Sequence, residues 1–134
     1  MLFRSNPQLW VAPSWGKHLT MALMLPAMVL LVAAYVPSRL RTRLAHPMLA
    51  AIILWAAAHL LANGDLAGVL LFTSFLAYAA YDLVSATGRS ALGPLGHSSG
   101  GILQDAIAVI AGLGLYAVML FWGHAKLIGV SLLP

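Results

Sequence analysis

Four long apolar stretches alternate with short polar ones, near residues 18–36, 47–62, 66–84 and 103–123. A helix crosses a hydrocarbon core with about 20 predominantly apolar residues, so the pattern predicts an all-α polytopic bundle of four transmembrane helices. The breaks have helix-end chemistry. The run PSRLRTR, Pro37 to Arg43, ends the first helix, and His46-Pro47 restarts the chain with proline where its missing N–H costs nothing. In Asn63-Gly64-Asp65 a helix-terminating glycine precedes a capping aspartate, which predicts a tight antiparallel hairpin. Residues 85–102, rich in Gly and Ser, form the only sizeable loop, and residues 1–17, with Trp10 and Trp15, read as an interfacial lead-in. Pro26 should kink the first helix, since it frees a carbonyl that neighbouring groups must satisfy.

Composition agrees with the pattern. Hydrophobic residues make up 62% of the 134 and charged residues 7%, against about 25% charged in ordinary soluble domains. The chain therefore reads as one membrane domain spanning 1–134, with the lipid bilayer as its first partner. The net charge of +4 is too scattered for a nucleic-acid footprint and suits anionic headgroups better. The first apolar stretch is longer than a signal-peptide core and no cleavage site follows it, so it is expected to stay in the mature chain. Alternating spans put Arg39, Arg41, Arg43 and Arg89 on one side and Arg4, Lys17 and Lys126 on the other. The arginine-rich side is expected to be cytoplasmic, with both termini outside.

The same alternation sorts the ionisable residues into two layers. His18, His59 and His124 fall in one, while Asp82, Asp105, His46, His97 and the four arginines fall in the other. With no cysteine and no glutamate, histidine is the only good nitrogen ligand. Classical catalytic signatures are absent: there is no phosphate-binding loop, dinucleotide fingerprint, nucleophile elbow or HExxH pair. His59 is the most embedded histidine and shares a helical stripe with Trp55 and Asn63. It reads either as a packing histidine bonded across to another helix or as a haem or metal ligand. His124 follows Phe121-Trp122-Gly123 at the boundary, where it is either interfacial or the second half of an axial pair, with His18 as the alternate. Met21, Met24 and Met28 form one stripe, more often core than soft ligands. Asp82 is expected to pair with a loop arginine and Asp105 to sit in a first helical turn, where the dipole favours negative charge. Asn63 and Asp65 are expected to be structural.

The segments PQLWVAPSWGKHLTMALMLPAMVLLVAAY, HPMLAAIILWAAAHLLANGDLAGVLLF and HAKLIGVSL resemble the NnrU family of bacterial integral membrane proteins, which is related to plant 15-cis-zeta-carotene isomerase. The resemblance runs from about Pro7 to Val130 and matches the family pattern at His46, His59, Asn63, Asp65, Asp82, Asp105 and His124. It implies a bacterial inner-membrane bundle that binds a b-type haem through histidine. The implied chemistry is nitrite and nitric oxide metabolism or isomerase-like conversion of an apolar substrate. Family members usually begin with further hydrophobic helices bearing a histidine, which this chain lacks; a ligand there would displace the pair assembled from His59 and His124. The alternative expectation is a non-enzymatic membrane factor that assembles or regulates a reductase, acting through a protein partner or a second copy.

Overall fold

The computed structural model describes residues 5–93, 95, 96 and 100–134, so His97 and Arg4 lie outside the described residues. Helix α1 spans Gly16–Ala33, α2 Arg39–Leu44, α3 Pro47–Ala62, α4 Leu66–Gly88 and α5 Ile102–Val118. A π-helical turn, Met119–Gly123, continues α5 directly into α6, His124–Ile128. Three of these helices, Gly16–Ala33, Leu66–Gly88 and the continuous Ile102–Ile128, are long and apolar enough to cross a membrane. Helix α3 is shorter, at 16 residues, or about 24 Å at 1.5 Å per residue.

Three boundaries differ from the expected ones, each for a local reason. The first helix ends at Ala33, and the arginine run that was expected to be only a break folds into α2, because Ser38 accepts the Arg41 N–H as an N-cap. Helix α4 runs four residues past the expected end, to Gly88. The last helix runs on to Ile128, where Gly129 takes the left-handed conformation and closes it.

Helix α1 packs against α3 and α5, and α3 also packs against α4; among the described residues α4 and α5 do not touch. The helices therefore form a row, α4–α3–α1–α5, and a gap separates its outer members. Small residues permit the central contacts. A Cβ on Gly112 of α5 would stand 2.6 Å from the Val29 Cα, so the α1 and α5 backbones meet there. The Thr20 hydroxyl clasps α1 to α3, lying 2.6 Å from the Ala58 carbonyl and 2.8 Å from its own Gly16 carbonyl. Pro26 sits inside α1, and the Tyr116 hydroxyl donates to the carbonyl of Met21, next to the one that proline frees.

The lead-in is a strap. The Leu9 and Trp10 N–H groups both donate to the Gly64 carbonyl, and Gln8 pairs with Asp65. A Cβ on Gly64 would overlap the Trp10 carbonyl, so glycine is required there by close approach. The strap also completes the start of α4. Leu66 N–H donates to the Pro7 carbonyl, Ala67 N–H to the Asn6 Oδ1, and Gly68 N–H to the Asp65 carboxylate. The free donors of that helix end are thus accounted for one by one.

Candidate functional site

The cavity that brings predicted site residues together lies over the shared face of α1 and α3, in the gap between α4 and α5. Its larger lobe, of about 390 Å³, is lined by Trp55, His59 and Asn63 of α3, by Leu71 and Phe72 of α4, and by His124 and the C-terminal residues Val130 to Leu132. A smaller lobe of about 90 Å³ shares His59 and His124 and adds Met24, Met28, Tyr116 and Met119. Together these volumes fall within the range of small-molecule sites, about 300–1,000 Å³. Lys17, Asn63 and Ser131 supply polar groups to the larger lobe, and the rest of its wall is mostly apolar.

His59 is held on three sides. Its Nδ1 lies 2.8 Å from the Trp55 carbonyl one turn earlier. Its ring packs 4.9 Å from that of Phe72 and 5.4 Å from that of Trp55. The Asn63 amide donates to the His59 carbonyl at 2.8 Å, closing the end of α3. The stripe of indole, imidazole and amide is thus a built unit, although among the described residues the histidine ring does not bond across to another helix.

His124 is positioned by two irregular elements that the hydrophobic pattern does not reveal. The π-helical turn at Met119–Gly123 precedes it directly; such a turn inserts a residue into the helical register and rotates all that follows. After α6, Gly129 at φ 83° turns the chain so that the Val130 carbonyl lies 2.7 Å from the His124 Nδ1. A carbonyl can only accept, so in both histidines Nδ1 carries the proton. In the neutral rings Nε2 is then left with the free lone pair, the arrangement that metal-ligating histidines use.

Most of the remaining predicted residues separate from this cavity. His18 is exposed and does not line it. The stripe Met21, Met24 and Met28 does line it, together with Met119. At the opposite end Asp105 accepts from the Arg39 N–H and Nε, both at 2.7 Å, so an ion pair adds to the helix dipole. Asp82 meets Arg89, the residue just past the end of α4 and within the expected loop, at 3.8 Å. His46 occupies the N-cap position of α3 without a side-chain cap bond. Arg41 is buried and donates to the Gly96 carbonyl at 2.6 Å. Asp65, outside the spans, has its carboxyl held below the usual range by the Asn6 amide first and the Gly68 N–H second.

Among the described residues no group of three or more His, Asp or Glu side chains converges as a metal site. The protein offers two imidazoles to one space, and any further donors must come with the occupant. No curated protein and no solved structure matches the chain. The NnrU protein family matches residues 2–132, nearly the whole chain, which therefore belongs to that family.

Proposed function

From this NnrU membership and the shared histidine cavity, we propose that the protein is a haem-binding membrane bundle with His59 and His124 as axial ligands. The observation that carries the reading is the matched pair: both rings line one cavity and both commit Nδ1 to a carbonyl. A porphyrin supplies four nitrogens of its own, so its iron asks the protein for two donors. The donor set fits that need. The apolar wall of Met21, Met24, Met28 and Met119 suits the macrocycle, and Lys17 suits the carboxylates of its propionates. When bound between these two histidines, haem would supply electron-transfer chemistry. The chain holds the two rings in orientation through the Trp55 and Val130 carbonyls, excludes water with Trp55 and Phe72, and presents an apolar approach for small gases or an apolar substrate.

The family resemblance implies nitrogen-oxide metabolism or isomerase-like chemistry, and either would draw on the redox character of that group. All four apolar helices cross the bacterial inner membrane in this reading, with α3 sheltered between α1 and α4 and the arginine-rich end cytoplasmic. The test is a visible spectrum of protein purified from haem-replete cells. A Soret band that is lost in His59→Ala and restored by added imidazole supports the pair. Colourless wild-type protein sinks it and leaves the non-enzymatic factor for a reductase.

A further inference from the structure

A second cavity, of about 430 Å³, lies at the opposite end of the molecule between the start of α3 and the last turns of α4. Its lining includes His46, Met48 and Ile52 from one side and Tyr78, Asp82 and Arg89 from the other. Tyr78 and Asp82 fall at i and i+4 on one stripe of α4, and Arg89, which caps that helix, follows at i+11. Asp82 and Arg89 approach to 3.8 Å, beyond hydrogen-bond distance, whereas Arg39 and Asp105 bond at 2.7 Å. Arg89 directs its Nε to Ser85, at 3.3 Å from both the carbonyl and the hydroxyl, and one of its terminal nitrogens is the atom that stands 3.8 Å from Asp82. His46 is 8% exposed, lines the cavity, and its ring makes no hydrogen bond among the described residues. One carboxylate, one guanidinium and one largely buried imidazole therefore stand at the rim of an apolar wall; with α4 spanning the bilayer, its last turns lie at the depth of the headgroups.

We propose that this cleft seats the headgroup of a zwitterionic phospholipid bearing a primary ammonium. Asp82 accepts from the ammonium, Arg89 binds the phosphate, and His46 donates to a phosphate oxygen, while an acyl chain lies along Met48 and Ile52. Charge complementarity selects this occupant. An anionic headgroup without an ammonium would face Asp82 with a like charge, and choline offers methyl groups where Asp82 requires N–H donors. The site depends on the membrane placement of the helices and not on haem, so it survives failure of the histidine pair.

The test reconstitutes the full chain with equal amounts of phosphatidylethanolamine, phosphatidylcholine and phosphatidylglycerol of identical acyl chains, and measures retained lipid by native mass spectrometry. Wild-type protein should retain the ethanolamine lipid over each of the others by about tenfold, a difference of about 1.4 kcal/mol. Asp82→Asn should remove the preference over choline lipid, Asp82→Glu should keep it, and Arg89→Gln should lower retention of all three. Far-UV circular dichroism confirms that each variant is folded. Equal retention by wild type, a preference for phosphatidylglycerol, or an unchanged preference in Asp82→Asn overturns the proposal. Displacement of the lipid by equimolar soluble phosphoethanolamine would also overturn it, in favour of a water-soluble zwitterion.

Discussion

Asp65 joins the strap, the hairpin turn and α4 through one carboxylate, which accepts from Asn6 and from Gly68. Replacing it with alanine removes the cap and should cost about 0.5–2 kcal/mol, read as a fall in thermal midpoint in detergent. Its acid behaviour has a definite sign. The folded carboxyl titrates below its ordinary value of 3.8, so the stabilisation is fully present above that value and fades as pH falls through the lower, folded one. Amide NMR signals of Leu66 and Ala67 should shift over that acid window in the wild type and stay flat in Asp65→Asn. The turn itself was legible, because glycine and aspartate are the residues that end and begin helices. Its capture by the strap was not, since Asn6 and Asp65 lie 59 positions apart and no local pattern links them. Asp82 was more legible: a loop arginine was expected beside it, and Arg89, just past the end of α4, is the one that approaches it.

The π-helical turn is the element on which the proposed haem site depends most. Each residue of an α-helix advances about 100°, so one residue more or less between Tyr116 and His124 aims the imidazole elsewhere. Deleting Leu120, which lies within the turn, should leave helical circular dichroism nearly unchanged yet abolish the Soret band of haem-loaded protein. A retained band would show that His124 is not a ligand. The long apolar helices were readable from hydropathy alone, though α2 was not, and α3 appears with the bounds expected for it, Pro47–Ala62. The π turn was invisible because MLFWG reads as ordinary apolar helix. Ser38, by contrast, was an available cap signal for α2, overlooked beside the prolines and arginines around it.

Taken whole, the molecule is a row rather than a closed ring of helices, and its cavity exists because α4 and α5 stay apart. The hydropathy pattern marks the long apolar helices but not which are neighbours, which is set here by small contacts such as Gly112 on Val29 and Thr20 on Ala58. The absence of cysteine makes the arrangement easy to test with introduced pairs. Thr20→Cys with Ala58→Cys should oxidise readily to a disulfide. Leu71→Cys with Tyr116→Cys, on opposite walls of the cavity, should resist direct oxidation and join only through a long bifunctional reagent; a direct disulfide there would mean that the row closes. The strap carries a further consequence, for biogenesis. Its residues leave the ribosome well before the α3–α4 reversal that they grip, so they must wait unpaired on the membrane surface while some fifty further residues are synthesised and inserted. Closure of that clasp is therefore a late step, and a pulse-chase protease assay should show the amino-terminal segment becoming resistant only after the second hairpin arm has been translated.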